Sequence, residues 1–204
     1  MKVQIDKKYP LPCSAEIAWG FLQNIEAVAA CMPGAKITER VDAGRYKGTV
    51  TAKVGPATMS FRGEVQVTEV DANARSLRLL GKGTDSTGSS GASMNLGARI
   101  EAAEGGLCTL VGVSELSMSG KAAAFGGRMM STVADQILKQ FADNFAAQVS
   151  ALQASRAAPA TGGGGPQPPE APVPATAAGE LNVLALAWAI FKDWLRSLFS
   201  KRAA

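Results

Sequence analysis

Hydrophobic and polar residues alternate with a period of two through much of residues 1–152. Tyr46, Gly48, Val50, Ala52 and Val54 point one way, while Arg45, Lys47, Thr49, Thr51 and Lys53 point the other. Met59, Phe61, Gly63, Val65 and Val67 alternate with Thr58, Ser60, Arg62, Glu64 and Gln66, and the pattern returns at Ala92–Ile100 and Leu110–Met118. One apolar and one polar face at this period predict a half-buried antiparallel sheet. Val3–Tyr9 and Ser76–Lys82 add strands, about seven in all. Asp42-Ala-Gly44, Gly55-Pro56, Asp71-Ala-Asn73 and Glu104-Gly-Gly106 supply turns. Gly81-Lys82-Gly83 and Gly88-Ser-Ser-Gly-Ala92 lie between antiparallel strands, so they read as turn chemistry and not as a phosphate loop.

Helical periods interrupt this pattern. Ser14 after Pro12 is set to cap a first helix through Leu22, and Asn24–Cys31 forms a second that stops before Pro33-Gly34. A long third helix is expected over Ala122–Leu152, with Met130, Val133, Ala134, Ile137, Phe141, Phe145 and Val149 on one stripe. The Gly-rich lead-in Gly120–Arg128 is either a hinge or an irregular helix start. The resulting order is a strand, two short helices, a six-strand meander and one long helix, an α+β arrangement.

Residues 153–179 hold six of the ten prolines and four consecutive glycines, with almost no large apolar side chain. They predict a flexible to semi-extended linker with an r.m.s. reach of about 30 Å. Residues 180–204 return to a helical pattern. Leu184, Trp188, Phe191, Trp194, Leu195, Leu198 and Phe199 share one half of the circumference, with Lys192, Asp193 and Arg196 opposite and Lys201-Arg202 at the end. At about 1.5 Å per residue the segment matches a bilayer core of about 30 Å. Burying Lys192 and Asp193 mid-membrane would cost about 2.5–3.5 kcal/mol each, so the expected placement is along the interface. Leu184, Trp188, Phe191, Trp194, Leu195, Leu198 and Phe199 would face acyl chains, and Lys192, Arg196, Lys201 and Arg202 would face headgroups. The alternative is docking in a partner's hydrophobic groove.

Charge narrows the partners. Residues 1–152 carry 16 Lys+Arg against 14 Asp+Glu and residues 153–204 carry 5 against 3, which is +2 for each part. Scattered charge at that level is no nucleic-acid footprint. MKVQIDKKYP has no apolar signal core, so a cytoplasmic setting is expected. Cys13, Cys31 and Cys108 lack metal or redox spacing and read as small buried thiols. The chain has no histidine, which removes Ser-His-Asp and Cys-His catalysis and His-ligated metals.

Several short motifs carry a family resemblance. Pro12, Ala30-Cys31-Met32-Pro33-Gly34-Ala35, Tyr46-Lys47-Gly48, Lys53-Val54-Gly55-Pro56 and Phe61-Arg62-Gly63 resemble the CoxG family of carbon monoxide dehydrogenase subunits. That family falls in the START-like (SRPBCC) superfamily. The resemblance implies a helix-grip fold, a curved antiparallel sheet around a long C-terminal helix with a cavity between them. It also implies a membrane-associated accessory protein; a START-like enzyme is a third reading, but no enzyme is expected because the histidine-free interior offers few acids or bases. Such an accessory protein would link a carbon monoxide dehydrogenase-type molybdenum hydroxylase to the cytoplasmic face of the cell membrane and hold a quinone, menaquinone or ubiquinone, or a lipid.

The inward positions fit that expectation. Gly48, Ala52, Gly63, Gly81, Ala92, Ala98, Gly112 and Ser114 are small, which allows either a close helix or a hollow. Six of the seven methionines fall near the expected cavity, where flexible thioethers suit an adaptable pocket or simply fill a core. The expected lining is Met32, Met59, Phe61, Met94, Leu96, Leu116, Met118, Met129, Met130, Val133, Ile137 and Phe141. No charged residue is expected on the inward face, so the expected ligand is neutral and apolar. A structural recruitment factor without a ligand is the alternative.

Overall fold

The structure is a computed structural model and describes residues 1–157. Residues 158–179 of the expected linker 153–179, and the expected amphipathic segment 180–204, lie outside the described residues. Seven strands, β1 (Lys2–Leu11), β2 (Ala35–Arg40), β3 (Arg45–Val54), β4 (Ala57–Asp71), β5 (Ser76–Asp85), β6 (Ser90–Ala102) and β7 (Cys108–Gly120), form one antiparallel sheet. Its order is β1-β7-β6-β5-β4-β3-β2, so β2 to β7 run as a meander and β1 closes on β7. The helices are α1 (Ala15–Leu22), α2 (Ile25–Cys31) and α3 (Gly127–Ala157).

Local chemistry sets the boundaries. The Ser14 hydroxyl accepts from the Ile17 N–H at 3.4 Å and Asn24 Oδ1 accepts from the Ala27 N–H at 3.1 Å, so each short helix starts on a side-chain cap. Asp42 Oδ1 accepts from the Gly44 and Arg45 N–H groups at 2.9 and 2.8 Å, and Asp71 Oδ1 does the same for Asn73 and Ala74. These Asx turns fix the β2–β3 and β4–β5 hairpins.

The structure corrects several expectations. Gly81-Lys82-Gly83 lies inside β5, not in a turn. The glycines serve the sheet instead: Gly48, Gly63 and Gly83 are successive cross-strand partners. A Cβ on Gly63 would collide with the Lys82 carbonyl and sit 2.7 Å from Gly83 Cα, while one on Gly48 would sit 2.6 Å from the Lys36 carbonyl oxygen. Backbones this close mark where the sheet curves. The long helix also starts later than its apolar pattern suggests. Lys121–Phe125 is a short 3-10 turn, Gly126 adopts φ +76°, and α3 then runs past 152 to Ala157. Val50 has inward parity but is exposed. Lys7 has inward parity too, so the inward face does carry a charge, and its Nζ lies 2.9 Å from Asp135 of α3.

Candidate functional site

Side chains between sheet and helix pack into two separate clusters. The first joins Leu11, Trp19, Leu22, Leu77, Ile100 and Leu110 to Phe145 and Val149 of α3. Phe141 leans on it, with its ring 5.8 Å from that of Phe145, and Phe21 meets Phe145 edge-on at 4.9 Å. The second is smaller and joins Val3, Val54 and Met130, with Ile5, Met59, Leu116, Met118, Phe125 and Val133 partly buried against them.

Between the clusters several inward side chains are only half-buried. Against the sheet, the main contacts of α3 are with β1 and β3, near the two rims. Its backbone makes no comparable contacts with the central strands β4 to β6. Val65, Met94 and Leu96 have inward parity on these strands yet remain half-buried, as do Ala134 and Ile137 on the facing stretch of α3. Glycines report the space directly. A Cβ on inward-facing Gly112 would meet nothing within 4 Å, and the nearest atoms to one on Gly81 would belong to Met94 and Val65 of the neighbouring strands. No helix atom comes within that range of the Gly112 position.

One uncharged polar group on this face lacks a partner. Ser114 lies on β7 opposite Ile5 of β1 and Leu96 of β6, two residues from Gly112. It is 8% exposed, and its hydroxyl is the one buried side-chain polar atom among the described residues without a hydrogen-bond partner. The Lys7–Asp135 pair at the rim neutralises itself, with Asp135 holding the Lys7 ammonium above its usual range. The space therefore suits a neutral, largely apolar molecule with a single polar contact.

The expected lining residues do not form one surface. Met94, Leu96, Ile137 and Phe141 border the central space, whereas Met59, Leu116, Met118, Met130 and Val133 close its second end. Met32, after α2, and Phe61, farther along β4, are half-buried and belong to neither cluster. Met129 is 41% exposed and its methyl group approaches the β3–β4 turn, 3.8 Å from where a Gly55 Cβ would stand. Val65, Leu79, Gly112 and Ser114 are the residues that sequence reasoning left out of the lining, although their place in the alternating pattern marks them as inward.

Two other clefts, of about 490 and 470 Å³, lie outside this space, one between α2 and β2 and one between α2 and α3. Among the described residues no group of three or more Cys, Asp or Glu could hold a metal ion, and no helix is long and apolar enough to cross a membrane. All three cysteines are free and buried.

Comparison with known proteins follows the same lines. The family model for CoxG, a subunit of carbon monoxide dehydrogenase, matches residues 11–150. No curated protein matches the chain. Among solved structures, a conserved protein from Geobacillus kaustophilus is 18% identical with a TM-score of 0.66, covering 73% of this chain and 96% of that one. A START superfamily protein from Mycobacterium smegmatis is 14% identical with a TM-score of 0.51, covering 73% and 98%. The Zhui aromatase/cyclase from Streptomyces sp. R1128 is 14% identical with a TM-score of 0.54, covering 80% and 99%. At these identities the likeness establishes the START-like helix-grip fold and nothing about activity.

Proposed function

The chain belongs to the CoxG family of carbon monoxide dehydrogenase subunits, and from that premise we propose that it is an accessory protein that carries a respiratory quinone, menaquinone or ubiquinone. The quinone would lie between α3 and the central strands. The observation that supports the reading is the open space that Gly112 faces between two packed clusters. Enclosing an isoprenoid chain there gains about 0.8 kcal/mol per buried CH₂. The facing side chains are largely apolar and the nearest charges, Lys7 and Asp135, are paired with each other, which suits holding a neutral ligand. The partner would be a carbon monoxide dehydrogenase-type molybdenum hydroxylase whose electrons must reach the membrane pool. The segment 180–204 would lie at the cytoplasmic face of the membrane, with its Trp and Phe residues in the acyl boundary and its basic residues toward headgroups. The linker then raises the local concentration of the carrier near both.

Organic-solvent extraction of the native protein followed by mass spectrometry should release about one quinone per chain. An empty extract, with no uptake when quinone is titrated in, would leave a recruitment factor without a ligand. Removal of 180–204 should release the protein from anionic lipid vesicles. If the truncated chain still sediments with them, the segment has no anchoring role.

A further inference from the structure

We propose that Ser114 is the polar anchor of the interior site, its hydroxyl donating a hydrogen bond to a carbonyl oxygen of the bound molecule. The inference rests on the reading that the space between α3 and the sheet holds an apolar ligand, and it adds which functional group that ligand must present. A buried hydroxyl without a partner costs about 1–3 kcal/mol, so folds satisfy such groups or replace them. Ser114 is neither. Its neighbours across the sheet are Ile5 and Leu96, which offer no side-chain acceptor, and the adjacent inward position is Gly112, beyond which there is no atom within 4 Å of a Cβ. The nearest charged side chain on this face, Lys7, is engaged by Asp135. The hydroxyl thus borders open apolar space with its hydrogen-bonding capacity unused. A pure hydrocarbon in that space would leave the orphan in place. A ligand with a carbonyl on an apolar body satisfies it and gains orientation as well as affinity.

The test compares the full chain with its Ser114→Ala variant by equilibrium dialysis against three probes. Menadione carries ring carbonyls, 2-methylnaphthalene is the same ring system without them, and methyl laurate carries a carbonyl on a flexible chain. Menadione should bind the wild-type chain about 3- to 10-fold more tightly than the variant, the range for one hydrogen bond, and 2-methylnaphthalene should bind both equally. In the ligand-free state Ser114→Ala should melt higher than wild type, because a methyl group replaces an unpaired hydroxyl. Equal binding of every retained probe to the two proteins would overturn the anchor and leave the apolar site standing. Preference confined to methyl laurate would keep the anchor and sink the quinone reading. Retention of no probe would overturn both, and a lower melting temperature for ligand-free Ser114→Ala would show that the hydroxyl already has a partner in the fold.

Discussion

At its C-terminal end α3 contributes Phe145 and Val149, neither with any exposed surface, to a cluster of aromatic and branched side chains from α1, β1, β5, β6 and β7. Polar ties hold the same end. Asn144 Nδ2 donates to the Cys31 carbonyl at the end of α2 at 2.9 Å, and the Ser14 N–H donates to Gln153 Oε1 at 3.2 Å. The N-terminal end is built otherwise. Only Met130 is buried there, its partners include Met59 and Met118, and the lead-in to the helix holds glycines at 120, 126 and 127. Branched and aromatic side chains specify one packing, whereas methionine repacks easily. One end of the helix is thus fixed to the body, and the other can adjust around whatever fills the space between.

Phe145→Ala should expose that difference most strongly. It removes a fully buried ring from both aromatic contacts and should destabilise by about 3–5 kcal/mol in urea unfolding. Met130→Leu, which keeps volume at the opposite end, should change stability by less than about 1.5 kcal/mol. Equal losses would mean that the two ends are packed alike. The fixed end also holds Cys13 and Cys108, whose sulfurs are 3.9 Å apart. Burial pushes the Cys108 thiol up to about 12 and raises that of Cys13 as well. Both are protonated in the folded chain, so their contribution is complete below the unfolded thiol range near 8.5 and is lost as pH rises toward about 12. A thiol reagent at pH 8 should therefore label neither until the chain unfolds. Rapid labelling of the folded protein would show that this end opens.

A glycine that bends the sheet should be the next most sensitive. Gly63→Ala drives a methyl group into the Lys82 carbonyl of β5, a backbone atom that cannot swing aside. The expected loss is about 1–3 kcal/mol. A neutral result would mean that β4 and β5 can separate at the bend.

These contrasts mark where the sequence stops being informative. Alternation over residues 45–67 and 92–118 suffices to place the strands, because each has one face toward solvent. Ser14 and Asn24 announce their helices through side chains that cap them. The start of α3 is hidden because Ala122–Phe125 is apolar enough to join the helical period, and only the positive φ at Gly126 separates them. Lys7 escapes notice because its inward position depends on Asp135, remote in sequence, to receive the charge. The open space at Gly112 is the least visible feature. Gly63 and Gly112 look alike as small inward residues, yet one is pressed against a neighbouring backbone and the other faces nothing.

Gly112→Ala is the smallest perturbation and the finest test of that last distinction. Glycine in a strand interior is disfavoured relative to alanine by about 0.5–1 kcal/mol, through the extra entropy that it loses on folding. Where the new methyl group meets no atom, that penalty is relieved with nothing set against it. Gly112→Ala should therefore raise the unfolding midpoint slightly, opposite in sign to Gly63→Ala, although both add one methyl group to the same face of the same sheet. A loss of stability at position 112 would mean that α3 settles closer to β7 than the described geometry has it, and the space between the two clusters would be closed.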